Sequence, residues 1–386
     1  MNHLTINLEA LLHNYLAIEA LMRKHGSRWT MVTKVLCGNR PVLQALAAMG
    51  MRAAGDSRLT NLKAVKRIAS ATECWYLRVP GPSVIDQVAQ LSDVSLNSEI
   101  KTISALNESA GRMGRKHRVI IMIELGDLRE GILPGSLINF YQSVFNLPHI
   151  EVLGIGANLG CLAGVAPNID QFMQLILYRE LLELKFERRL PLVSAGSSSS
   201  LPLLIEGSVP KGINHFRIGE ALFLGTDLIH GGTLAGFRND VFLLNTEIAE
   251  LKEKSLQPPT DATSIAPFAT PQGNDAQPGQ RGWRALVGVG QLDTDITGLA
   301  PLNPDYEIAG ASSDITVVNL GDHDDGLKVG DSIQFRLNYA ALLRLMNCRY
   351  ITKQLAPSVD EFRERMKEEG RIQNGVVITD GPEARE

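Results

Sequence analysis

The chain reads as a (β/α)₈ TIM-like barrel followed by an all-β domain, and three observations carry that reading. Eight short apolar runs recur within roughly the first 235 residues, each followed by a helical stretch, which is the count and length of such a barrel. Beyond residue 237 the texture changes to short alternating runs broken by Gly and Asp turns. At 386 residues the chain also exceeds what one hydrophobic core usually supports. The division that follows is a barrel over 1–236, a β-domain over 237–357, and a charged helix and tail over 358–386. A doubly wound sheet competes with the barrel, because periodicity alone cannot tell a closed parallel sheet from an open one. Both architectures place chemistry at the carboxyl ends of the strands.

The elements follow in order. After a short Leu4 to Asn7 segment, Leu8, Leu11, Leu12, Tyr15, Ile18, Leu21 and Met22 recur at helical spacing, and Gly26 closes an amphipathic helix of about four turns. Strand-like runs lie near 29–34, 51–55, 73–79, 93–97, 118–125, 150–158, 190–195 and 214–218. Helical stretches include 41–49, 58–70, 83–91, 98–111, 135–145, 168–187 and 199–206. In the second part, FLLNTEIAELKEK, WRALVGVG, DYEIAGASSDITVVNL and VGDSIQFRLNYAALLR read as strands. Residues 255–282, rich in Pro, Gly, Thr and Gln, read as a mobile insertion in that domain. From Ser358 a charged helix sets Val359, Phe362 and Met366 on one side.

Bulk composition narrows the function classes. Hydrophobic residues at 44%, charged residues at 21% and a mean hydropathy near zero describe an ordinary globular protein. A net charge of −4 gives no electrostatic reason to expect nucleic acid or an anionic membrane as partner. Cys37, Cys74, Cys161 and Cys348 are scattered, with no CxxC pair and no His cluster at metal-ligand spacing, so neither disulfides nor a metal are expected. No run approaches about 18 apolar residues, as a membrane span would need. The start lacks a signal-peptide pattern, and a cytoplasmic location is expected.

Polar residues gather where the strands stop. Lys34 follows the apolar run TMVT in TMVTKVLCGN. A lysine there either snorkels to water or serves as an amine for Schiff-base chemistry. Asp56, Asn97, Arg129 in GDLREG, Asn158, Ser197, Ser198, Arg217 and Gly219 occupy the other ends, although Asp56, Asn97 and Ser198 are also capable helix caps. SAGSSSS and RIGEALFLG put small residues and backbone amides at helix starts after the last two strands, where barrels commonly hold phosphate. A phosphate site facing a strand-end amine suggests pyridoxal phosphate.

With those residues in place, the chain resembles the fold-type III pyridoxal-phosphate enzymes of the alanine racemase superfamily, and most closely the alanine/ornithine racemase branch. The motifs are TKVLCGN, IELGDLREG, SAGSSSSL, HFRIGEALFLG, AGASSD and FRLNYAALLR, in that order, spanning about Leu4 to Thr352 outside the insertion. The resemblance implies that Lys34 carries the cofactor as a Schiff base. It also implies that Arg217 faces the pyridine nitrogen and Arg129 lies near the ring hydroxyl. Ser198, Tyr339 and the backbone around Gly219 would then hold the phosphate, with Asn158, Ser197 and Glu220 also in the cofactor site. It further implies a head-to-tail homodimer, in which the β-domain of one chain completes the site of the other.

Arginine can only donate, so Arg217 keeps the pyridine nitrogen unprotonated and favours reprotonation at Cα, that is, racemisation. Racemisation needs an acid/base on each face of Cα, and Lys34 suits one. The usual second base is a tyrosine in a GYGDG loop, where this chain has VGVGQLDTD. Asp293, then Asp314 and Ser313, are the candidates, with Asp295 available to a substrate ammonium. The histidine stacked on the ring in that family is Asn158 here. These departures argue against a dedicated alanine racemase, and the extra carboxylates with the GASSD motif point to a basic substrate such as ornithine or lysine. The alternatives are a basic amino-acid decarboxylase, which Arg217 disfavours, and a non-catalytic pyridoxal-phosphate carrier, which normally lacks a β-domain.

Overall fold

The structure is a computed structural model, and it describes residues 1–256 and 279–369 with the backbone of 372–373 and 376–377. Most of the insertion expected at 255–282 lies outside the described residues. Two compact units are formed: Leu11–Arg238 with Val359–Glu386, and Met1–Ala10 with Asn239–Ser358.

Strand β1 (His3–Asn7) and helix α1 (Leu8–His25) precede the barrel strands. These are β2 (Arg28–Val32), β3 (Ala53–Asp56), β4 (Glu73–Tyr76), β5 (Val94–Asn97), β6 (His117–Met122), β7 (Ile150–Gly156), β8 (Leu192–Ser197) and β9 (His215–Ile218). All run parallel, and β2 closes on β9 with Thr30 opposite Arg217 and Met31 opposite Ile218. The architecture is therefore the closed barrel and not the open sheet. Helices α2 (Arg40–Ala48), α3 (Leu59–Ile68), α4 (Ile85–Leu91), α5 (Ile100–Arg112), α6 (Leu137–Phe145), α7 (Ile169–Phe186), α8 (Leu201–Ile205) and α9 (Glu220–Leu224) alternate with the strands.

Local chemistry explains the boundaries. Asn39 accepts from the Val42 N–H at 3.2 Å, with Pro41 in the first turn, so α2 starts there. Asn168 and Gln171 form a reciprocal capping box on α7. Every residue of β5 is buried, as expected of a parallel strand covered on both faces. Inside the barrel, Trp75, Val94, Leu96, Ile120, Met122 and Leu192 form one cluster. Truncating a side chain of this kind to Ala costs about 2–5 kcal/mol. Gly154 is required where β7 meets β8, because a Cβ there would lie 1.9 Å from the Leu192 carbonyl oxygen.

The other unit is an eight-stranded sheet. Its strands, besides β1, are β10 (Phe242–Ser255), β11 (Arg281–Val287), β12 (Leu299–Pro301), β13 (Glu307–Ala311), β14 (Thr316–Gly321), β15 (Ser332–Leu337) and β16 (Thr352–Ala356). The path runs β12-β15-β10-β11-β14-β13, and β1 lies antiparallel to β10 and parallel to β16. The segment NYAALLR departs from the all-β expectation, since Tyr339–Asn347 is helix α10. Asn338 caps it by accepting from the Ala341 N–H at 2.9 Å, and Leu342 and Leu345 are buried at helical spacing. Helix α11 (Val359–Glu368) packs on α2 and buries Phe362 and Met366.

Candidate active site

The site is built on the carboxyl ends of the barrel strands. Strand β2 stops at Val32, and Lys34 opens a single 3₁₀ turn, Lys34–Leu36, closed by Cys37 in the left-handed region (φ 51°). The corner is pinned from its neighbour. The Thr33 N–H donates to the Gly55 carbonyl at 2.9 Å and the Thr33 hydroxyl to Asp56 Oδ2 at 3.1 Å. Lys34 itself is exposed, so the protein does not desolvate the amine as a buried strand-end position would. Asp56 is fully buried and also accepts from the Arg58 N–H and Asn61 Nδ2, at 2.9 and 3.1 Å. Burial raises its pKa, with those hydrogen bonds opposing. It therefore ties the Lys34 corner to the next strand as well as ordering the turn into α3.

The turns after β8 and β9 meet through one hydroxyl. Ser198 Oγ accepts from the backbone N–H of Gly219 at 3.3 Å and of Ala221 at 3.2 Å. Ser197 and Ser200 close the serine turn, and the Ser197 and Ser199 hydroxyls lie 2.7 Å apart. Gly219 fits against β2, where a Cβ would sit 3.1 Å from the Val32 carbonyl oxygen. Glu220 is half-buried, and burial raises its pKa against the opposing Lys34 charge. Lys34, Ser198, Gly219 and Glu220 thus share the rim where the barrel closes.

Arg217 is buried and held on all sides. Its Nη1 donates to the Ser194 carbonyl at 2.6 Å and to Ser194 Oγ, and its Nη2 to the Ala157 carbonyl at 2.8 Å and Asn158 Oδ1 at 2.9 Å. Burial lowers its pKa to about 10, partly offset by Glu130, so it stays cationic at neutral pH. Asn158 Nδ2 in turn donates to Glu130, which also takes two hydrogen bonds from Arg129. The carboxylate of Glu130 therefore joins Arg129 to Arg217 through Asn158.

Sequence reasoning missed Glu130 and two carboxylates beside it. Glu124 accepts from the N–H groups of Gly126, Leu128 and Arg129, which folds GDLREG into a tight loop. Asp127 accepts from the N–H groups of Cys161, Leu162 and Ala163, joining the loops after β6 and β7. The signal was the density of acids in IELGDLREG, which also reads as solvated charge. Asn97 does not cap a helix. It lies buried in the barrel with its Nδ2 donating to the Ser95 carbonyl and Oγ, and Glu99 caps α5 instead.

In the sheet unit, the loops 290–294 and 312–315 adjoin. The Gln291 and Leu292 N–H groups donate to the Ser312 and Ser313 carbonyls at 3.1 and 2.9 Å. Asp293 Oδ2 accepts from the Gly290 N–H at 3.1 Å, and Asp314 Oδ1 accepts from the Ser312 and Ser313 hydroxyls at 3.1 and 3.2 Å. Asp293, Ser313 and Asp314 are thereby brought together. Asp295 instead caps a 3₁₀ turn through Thr297 and pairs with Arg344 at 3.5 Å. Tyr339 sits half-buried at the first position of α10. Among the described residues, no group of three or more His, Cys, Asp or Glu could hold a metal ion, and no helix is long and apolar enough to cross a membrane.

Residues 6–227 match the family model "Alanine racemase, N-terminal domain". The chain is 37% identical over 357 residues to the ornithine racemase of Acetoanaerobium sticklandii, covering 91% of this chain and 99% of that protein. It is 30% identical over 358 residues to the lysine racemase of Thermotoga maritima, covering 92% and 99%. The fold is similar to that of the biosynthetic alanine racemase from Pseudomonas aeruginosa, at TM-score 0.69 and 18% identity over 92% of this chain and 99% of that one. The alanine racemase from Bartonella henselae with covalently bound pyridoxal phosphate aligns at TM-score 0.69 and 15% identity, again over 92% and 99%.

Proposed function

Because this chain belongs to the alanine racemase N-terminal domain family, we propose that it is a pyridoxal-phosphate-dependent racemase that interconverts the L and D forms of ornithine or lysine. The observation that carries the reading is the placement of Lys34, the Ser198–Gly219 turn and Arg217 on the adjoining ends of β2, β8 and β9. An exposed primary amine, a turn of hydroxyls and backbone N–H groups, and a fixed donor between them fit the aldehyde, phosphate and ring of the cofactor. Bound there, pyridoxal phosphate supplies the electron withdrawal that acidifies the Cα–H of an amino acid.

The chain's own residues divide the remaining work. Lys34 Nζ takes and returns the Cα proton on one face. With the cofactor bound, Arg217 would offer only N–H donors to the ring nitrogen and supply no proton there, which would favour return of the proton to Cα over loss of CO₂. Glu130 and Asn158 hold Arg217 and Arg129 in register. The second face is served in a head-to-tail homodimer by the partner subunit's Asp293, with Ser313 and Asp314 of the partner subunit beside it. Carboxylates on that side also match a distal ammonium, and such a pair supplies a few kcal/mol of selectivity over alanine, on the order of what a buried ion pair or lost polar contact is worth.

Chiral analysis of L-ornithine, L-lysine, L-arginine and L-alanine, with CO₂ measured in parallel, tests the reading. The D form should appear from ornithine or lysine at least about tenfold faster than from alanine, since one unmatched polar group costs on the order of 1–3 kcal/mol. Release of CO₂ without inversion would replace racemase by decarboxylase. No turnover of any of the four would leave a carrier.

A further inference from the structure

A cavity lies at the end of the barrel opposite to Lys34. It occupies about 800 Å³ at the amino ends of the strands, and Arg28, Arg52, Arg118, Glu73, Trp75 and His215 are among its walls. We infer that this cavity is a binding site for a compact polyanion, a small polycarboxylate or a phosphate compound, separate from the site at Lys34.

The charge balance points to an anion. Four arginines, Arg23, Arg28, Arg52 and Arg118, face two glutamates in a chain whose net charge is −4. Both glutamates are already engaged. Glu73 pairs with Arg118 at 2.9 Å and accepts from the Trp75 indole N–H at 2.7 Å, and Glu19 accepts from the Trp29 indole N–H at 2.7 Å. Arg28 and Arg52 have no carboxylate partner among the described residues. They are exposed at the cavity and supply forked donors suited to carboxylate or phosphate oxygens.

The inner wall is buried, and beside apolar side chains such as Met31 and Leu192 it carries a polar strip. Ser194 Oγ accepts from Arg217 Nη1 and lies in a hydrogen bond with His215 Nδ1, 2.8 Å away. His215 Nε2 is hydrogen-bonded with Thr30 Oγ1 at 3.0 Å, and its ring stacks on Trp75 at 4.5 Å. His215 and Thr30 both line the cavity. A ligand against that wall would thus meet a hydrogen-bonded chain that ends on Arg217.

Calorimetric titration of the pyridoxal-phosphate-loaded protein with citrate and with pyrophosphate, against sodium chloride at matched ionic strength, tests the site. One saturable event per chain is expected with one of the two, and the responding probe tells carboxylate from phosphate chemistry. Arg28→Ala with Arg52→Ala should weaken it by at least about tenfold, as loss of charge-assisted hydrogen bonds does, with an unchanged melting temperature. The charge reversal Arg52→Glu should abolish it. No saturable heat with either anion, or equal affinity in both variants, would overturn the assignment. The readout needs no turnover, so it fails independently of the racemase reading.

Discussion

At the residue scale, Glu130 is the group whose removal is most informative. It accepts from Arg129 and from Asn158, and Asn158 accepts from Arg217, so one carboxylate orients both arginines. Glu130→Gln keeps the shape but replaces one acceptor oxygen by a donor that faces a guanidinium. Two charge-assisted hydrogen bonds are weakened, each worth about 1.5–3 kcal/mol. We expect kcat on the preferred amino acid to fall at least about tenfold through misplacement of the arginines, with the absorbance of the bound cofactor shifted; an unchanged spectrum and rate would remove Glu130 from the machinery. Lys34, Arg217 and Ser198 were visible in the sequence as candidates because each stands at the end of a strand. Glu130 was not, because a glutamate beside an arginine in a turn looks like solvated charge until the loop after β7 is folded onto it.

At the scale of elements, the barrel strands carry two buried histidines that set an acid limit. His215 is pushed down to about 3 by burial, with Arg217 and Arg28 adding repulsion, and His117 to about 4 by burial. Their folded values lie below the unfolded one, so the unfolded chain takes up protons first as pH falls through about 6.5. The stability they contribute is complete above that value and lost below it, down toward the folded values. Between pH 7 and 5 each should cost about 2 kcal/mol. Denaturant titrations at the two pH values check this, and His117→Asn, which cannot titrate, should flatten part of the difference. The eight barrel strands were legible because their apolar runs are short, complete and spaced by helices. Helix α10 was not, because Asn338–Arg344 begins as an alternating run and its helical face shows only once Leu342 and Leu345 are seen buried.

At the scale of the whole molecule, the proposed sharing of one site by two chains predicts complementation. Lys34→Ala and Asp293→Asn should each lose activity as homodimers. Unfolded together and refolded as a mixture, they should recover about a quarter of wild-type activity, since half the dimers would be mixed and each would hold one intact site. No recovery above the separate variants would place both groups in one chain or remove Asp293 from the reaction. The two-domain plan was legible from the change of texture near residue 237, but the membership of the first ten residues was not. No local pattern tells a five-residue strand which sheet it will join.

That first strand has a consequence for synthesis. Strand β1 leaves the ribosome well before its partners β10 and β16, which begin at Phe242 and Thr352. The barrel can close while the nascent chain still holds β1 without a partner, and the sheet can be completed only after nearly the whole chain has emerged. Such pairing of high sequence separation is slow to form. In pulse-labelled hydrogen exchange during refolding, the Leu4 and Ile6 amides should gain protection after those of β5 and β6, and simultaneous protection would refute this order. A strand made long before its partners is then the closing seam of the sheet.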